Sequence, residues 1–110
     1  MTSRARFDYY QQKRVARPEY QNCSPTYSWV REAAAVTEPL LAGAASIRTP
    51  VLMCQAALDS IVGLQEQDQF IALVPGGRKI VLQAKHEIYS SEQSVMEEYV
   101  KTIIDFLSEK

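Results

Sequence analysis

His86 is the only histidine in the chain, and imidazole, with an unperturbed pKa of about 6.5, is the side chain best suited to proton transfer near neutral pH. The carboxylate that suits it as a partner is Asp59. A carboxylate that accepts the Nδ1 proton holds the ring in one tautomer and stabilises the imidazolium, leaving Nε2 to deprotonate a nucleophile. On residue types and spacing alone, a surface histidine and a loop aspartate remain an open alternative. Metal chemistry is not expected, because one histidine and carboxylates scattered over helical stretches form no ligand cluster of recognised spacing.

Nucleophiles are harder to find. Ser90 and Ser91 lie close to His86 in sequence, but Ser90 with Gln93 three places on reads as a capping box that opens a helix. Cys54 lies in a short apolar run and reads as a small hydrophobe within a buried strand. Cys23, in Asn22-Cys23-Ser24-Pro25, reads as a surface thiol. The two cysteines fit neither a disulfide scaffold nor a paired zinc site, so reduced thiols are expected.

The elements that would position Asp59 and His86 follow from the hydrophobic pattern. Val51-Leu52-Met53-Cys54-Gln55-Ala56 is short and nearly continuously apolar, as expected of a parallel strand covered on both faces. Leu64, Phe70, Ile71 and Val74 recur at helical spacing, and Pro75-Gly76-Gly77 ends that helix. Lys79 to Gln83 reads as a second strand. Val95, Met96, Tyr99, Val100, Ile103, Ile104 and Leu107 then mark one apolar face of a final helix. Strand, helix, strand, helix makes a βαβα unit with parallel strands, and the loops after the two strands emerge at one edge of the sheet, where open α/β sheets bind ligands. Asp59 and His86 occupy those two loops.

Before this unit, the stretch up to Val15 reads as helical and Pro18 stops it near Arg17. Its charge is local: Arg4, Arg6, Lys13, Arg14 and Arg17 face only Asp8 through position 17. A second helical run carries Trp29, Val30, Ala33 and Val36 on one face, and Pro39 is expected to divide it, with a short new helix from Thr37 or Glu38 to Gly43.

Composition narrows the function classes. Apolar residues make up 46% and charged residues 23% of 110 positions, the balance of one small globular unit with a core. The 12 basic residues against 13 acidic ones leave a net charge of −1, which supplies no global field for nucleic acid. No apolar run approaches the roughly 20 residues that span a bilayer, and no signal-like stretch follows Met1. The expected location is cytoplasmic; the basic arm, in which Phe7, Tyr9 and Tyr10 are interleaved, reads first as a solvated helix, with peripheral contact with the inner membrane as the alternative.

Leu52-Met53-Cys54-Gln55-Ala56-Ala57-Leu58-Asp59-Ser60-Ile61-Val62, followed by Gln83-Ala84-Lys85-His86-Glu87-Ile88, resembles the last third of α/β-hydrolases of the lysophospholipase and monoacylglycerol lipase group. Within that group, Pro25-Thr26-Tyr27-Ser28-Trp29-Val30-Arg31-Glu32 and the His86-Glu87-Ile88 continuation look most like bacterial lysophospholipases. The resemblance implies an α/β fold: residues 1–24 as a cap-derived basic helix or arm, and residues 25–110 as the C-terminal βαβα portion of the hydrolase sheet. It implies Asp59 as the triad acid, His86 as the triad base, and a lysophospholipid or monoacylglycerol-type ester as substrate, with no cofactor.

One departure from the family pattern sets the expected activity. The nucleophile of such hydrolases sits in a Gly-x-Ser-x-Gly elbow upstream of the acid and the histidine. The glycines here are Gly43, Gly63, Gly76 and Gly77, and none brackets a serine in that way. The chain alone is therefore expected to be inactive as an esterase. Two buried parallel strands also need neighbours, so a homo-oligomer, or association with a missing N-terminal part, is expected. The alternative is a non-catalytic remnant or interaction module of the same ancestry.

Overall fold

A computed structural model describes residues 2–22 and 24–109. Cys23, expected as a surface thiol, lies outside the described residues, as does Met1. Helix α1 spans Arg4–Ala16 and starts where the Ser3 side chain accepts the amide of Arg6. A single 3-10 turn, Pro18–Tyr20, follows it. Helix α2 spans Tyr27–Gly43, with Thr26 capping it by accepting the Trp29 amide at 3.2 Å. Strand β1, Leu52–Ala56, leads to helix α3, Leu64–Leu73, then strand β2, Arg78–Leu82. A 3-10 turn at Ile88–Ser90 precedes helix α4, Gln93–Ser108.

The expected division at Pro39 does not occur, and α2 runs through it as one helix. Proline's fixed φ is itself helical, so what is lost is its N–H bond and some room around the preceding turn. The alanine-rich turns before Pro39 and the packing of α2 against α3 hold the helix together across that gap.

The strands are parallel and in register, with Cys54 opposite Ile80 and Ala56 opposite Leu82. Alternation along them sorts the core into two layers. Ala56 and Leu82 face α4 and pack with Ala84 and Ile88, against which Cys54, Ile80, Val95 and Tyr99 also lie. On the other face, Met53 and Val51 join Ala44, Ile47, Phe70, Ile71 and Val74 under α3. Gln55 is buried on this second face, where it donates to Asp68 Oδ1 at 2.9 Å, and Lys79 donates to the same oxygen at 2.6 Å. This satisfied polar cluster ties α3 to both strands. The turn from α3 into β2 passes through Gly76 at φ 67°, a conformation open to glycine without the usual Cβ penalty.

The molecule is more open than the pattern suggested. Its radius of gyration is 16.4 Å, against about 13 Å for a compact chain of this length. The strands, expected to be covered on both faces, bury only Gln55, Ala56 and Leu82. Each pairs only with the other among the described residues. Tyr27 and Trp29 on α2 are 97% and 62% exposed, and Val100, Ile104 and Leu107 leave part of the α4 stripe uncovered. No helix among the described residues is long and apolar enough to cross a membrane.

Candidate functional site

Two loops meet at the C-terminal ends of the strands because backbone bonds continue past the ladder. The Ala57 amide donates to the Leu82 carbonyl and the Leu58 amide to that of Ala84, both at 2.9 Å. The Asp59 amide turns back to Ala56 at 3.2 Å, and that of Ile88 to His86 at 3.2 Å. These bonds fix the two loops side by side, and Asp59 and His86 meet across them.

Asp59 is held from both sides. Its Oδ1 accepts the amides of Ile61 at 2.8 Å and Val62 at 3.1 Å, an arrangement that aspartate favours in turns. Its Oδ2 lies 2.9 Å from His86 Nδ1, so the Nδ1 proton has an ionised acceptor and Nε2 is left unprotonated in the neutral ring. The Asp59 side chain is 6% exposed and that of His86 is 44% exposed. Burial by itself pushes the Asp59 carboxyl upward, but the His86 hydrogen bond, the two amides and the nearby imidazole charge together outweigh it, and the net shift is below the usual carboxylate value. The pair borders a hollow of about 240 Å³ that is also lined by Cys54, Val62, Gln67 and Ile88.

Neither Ser90 nor Ser91 is hydrogen-bonded to this pair through its side chain. Ser90 and Ser91 do not cap α4: Glu92 stands at its cap position with no side-chain bond, and both serine side chains are buried without a hydrogen-bond partner among the described residues. The reason is the 3-10 turn. Ser90 and Ser91 donate their amides to Glu87 and Ile88, while the carbonyl of Ser90 accepts from Thr2 and Ser3 and that of Ser91 accepts from Arg6 at 2.9 Å. Backbone bonds thus hold these residues one turn ahead of the helix. Among the described residues, no hydroxyl or thiol is hydrogen-bonded to His86.

Cys54 is only partly buried, and it borders the hollow that Asp59 and His86 share. Burial raises its thiol pKa, which keeps it protonated and a poor nucleophile. Its place in the site was hidden in the sequence, since an alternating strand residue gives no sign of lying beneath a loop from the next strand. Gln67 likewise carried no signal. No group of three or more His, Cys, Asp or Glu side chains that could hold a metal ion occurs among the described residues.

Over 92 aligned positions the chain is 36% identical to lysophospholipase L2 of Escherichia coli strain K12, an alignment covering 76% of this chain and 27% of that protein. The chain is lysophospholipase-like. The same identity and coverage hold for lysophospholipase L2 of Escherichia coli O6:H1, and the probable lysophospholipase L2 of Haemophilus influenzae is 29% identical over 85 positions. This agrees with the resemblance drawn from the sequence. The lysophospholipase-like chain spans about a quarter of the length of the curated relatives it matches. No family model matches it, and no solved structure does.

Proposed function

We propose that this chain supplies the acid and the base, Asp59 and His86, of a serine-type carboxylic-ester hydrolase whose nucleophile comes from sequence outside these residues. The observation that carries the reading is the 2.9 Å bond between Asp59 Oδ2 and His86 Nδ1, made by a carboxylate whose other oxygen is fixed by two amides. In the complete site, His86 Nε2 takes the proton of the serine hydroxyl as its oxygen attacks the ester carbonyl. The imidazolium, stabilised by Asp59, then returns that proton to the departing alcohol oxygen. Water repeats the two transfers on the acyl-enzyme. The substrate is a lysophospholipid or monoacylglycerol-type ester.

In this reading, residues 25–110 are the C-terminal part of an α/β-hydrolase domain, and residues 1–24 are the end of its cap. The unpaired strand edges and the exposed apolar surface of α2 support a further layer of protein over them, from the rest of the parent fold or from a second copy. Without a serine elbow and its oxyanion donors, the chain by itself has no appreciable esterase activity. Loss of the nucleophile alone costs about a million-fold in well-studied triads.

Complementation tests this. The chain is mixed with the remaining portion of the Escherichia coli relative, which is expected to contribute the serine. Ester turnover and fluorophosphonate labelling are expected in the mixture, to disappear with His86→Ala, and to be absent from the chain alone. Turnover by the chain alone that His86→Ala abolishes would overturn the missing-nucleophile reading. A folded chain that binds the complementing portion without restoring turnover favours the second reading, an interaction module, to which the exposed Tyr27 and Trp29 lend surface.

A further inference from the structure

His86 stands on a stretch of chain that the sheet does not hold. Among the described residues, the last backbone bond from the sheet side runs from the Leu58 amide to the carbonyl of Ala84, two residues before the histidine. Beyond it the chain closes on itself: Ile88 donates to the His86 carbonyl at 3.2 Å, Ser90 to Glu87 at 2.9 Å and Ser91 to Ile88 at 3.1 Å. The backbone bond that opens α4 runs from Met96 to Glu92, so the carbonyls of Ser90 and Ser91 fall outside its ladder. Both residues are fully buried, where a carbonyl without a donor is costly. Their donors come from the start of the chain. The amides of Thr2 and Ser3 reach the Ser90 carbonyl at 3.3 and 3.2 Å. Arg6 donates through Nε to the Ser91 carbonyl at 2.9 Å and through a terminal nitrogen to Gln93 Oε1 at 3.0 Å. Arg4, by contrast, is 85% exposed and paired with Asp8 within its own helix, an ordinary surface contact.

We propose that Arg6 is a positioning residue for His86: by holding the Ser91 carbonyl it fixes the turn that follows the imidazole, and with it the bond from Nδ1 to Asp59. The two partners of that bond are secured from opposite sides. Asp59 is set by the amides of Ile61 and Val62, ahead of α3, and His86 by a turn tied to α1. The ring itself is 44% exposed, so packing alone does not hold it at 2.9 Å from a carboxylate that is already fixed. A guanidinium suits the task because its planar fork serves two acceptors at once, and a bond from a charged donor is about twice as strong as a neutral one. As part of an ester-hydrolase site, this role rests on the reading above. As a coupling between α1 and the imidazole, it stands on the bonds themselves.

The test is the tautomer of His86 in the full chain, read from its two imidazole nitrogen NMR shifts at about pH 9, above the ordinary titration range of histidine. The parent chain is expected to show Nδ1 protonated and Nε2 bare. In Arg6→Ala the ratio of the Nδ1–H form to the Nε2–H form should fall about fivefold or more, which is less than the whole worth of a hydrogen bond from a charged group. Hydrogen exchange of β1, β2 and the Ile61 and Val62 amides should stay as in the parent, since none of them touches Arg6. Arg6→Lys, which keeps the charge and loses the fork, should give an intermediate ratio. Gln93→Ala leaves the Ser91 bond in place and should keep the parent ratio. A parent ratio in Arg6→Ala overturns the proposal. So does a fallen ratio accompanied by equal loss of protection in β1, β2, Ile61 and Val62, which would make Arg6 a general support of the fold. A fall in Gln93→Ala as large as in Arg6→Ala overturns the route through the Ser91 carbonyl. No turnover is measured, so this result and that of complementation succeed or fail separately.

Discussion

Asp59 Oδ2 and His86 Nδ1, 27 positions apart in the chain, lie 2.9 Å from each other because the loops after two parallel strands are laced together by the amides of Ala57 and Leu58. The carboxylate serves the loop as well as the ring, since its second oxygen holds the Ile61 and Val62 amides. Its two functions separate under substitution.

In the complemented enzyme, Asp59→Asn is expected to lower turnover by about 10⁴, because an amide no longer fixes the tautomer that leaves Nε2 free to accept a proton. Its side-chain oxygen still accepts the two loop amides, so the urea midpoint of the isolated chain should fall less than with Asp59→Ala. The alanine variant removes both hydrogen bonds from an exposed loop that water can reach, at a cost of about 0.5–1.5 kcal/mol each. Equal destabilisation by the two variants would count against a structural role for Oδ1.

Acid should weaken the fold through the same group. The folded-state pKa of Asp59 is below its unfolded value of 3.8, so its contribution is fully present above that value and is lost as pH falls through the lower folded pKa. Thermal midpoints measured from pH 5 downward should fall more steeply for the parent chain than for Asp59→Asn. Parallel curves would contradict the shift.

Ser90→Ala and Ser91→Ala should leave the urea midpoint unchanged or raise it. Both hydroxyls are buried without a partner among the described residues, and such a group costs about 1–3 kcal/mol. A loss of more than about 1 kcal/mol in either variant would mean that the hydroxyl is satisfied in solution.

Arg6→Ala should release α1 from the turn behind His86. The guanidinium donates to the Ser91 carbonyl at 2.9 Å and to Gln93 Oε1 at 3.0 Å. Hydrogen exchange of the α1 amides is expected to accelerate about tenfold while that of β1 and β2 is unchanged, since local opening of a peripheral helix need not involve the core. An equal acceleration throughout would show that α1 and the sheet unfold as one unit.

The order of elements was legible in the chain because short apolar runs, helical periodicity and Pro75-Gly76-Gly77 are local signals, and each of them acts within a few residues. The two loops that carry Asp59 and His86 followed from that order alone, since parallel strands must send their C-terminal ends to the same edge. Pro39 and Ser90 misled for the complementary reason. Each has a strong local preference, to break a helix or to cap one, and each was overridden by contacts from far along the chain: α3 packing on α2, and residues 2–6 binding the carbonyls of Ser90 and Ser91. The place of Cys54 in the hollow that Asp59 and His86 share could emerge only on folding, because nothing in the spacing of a strand residue records which loop will lie beside it.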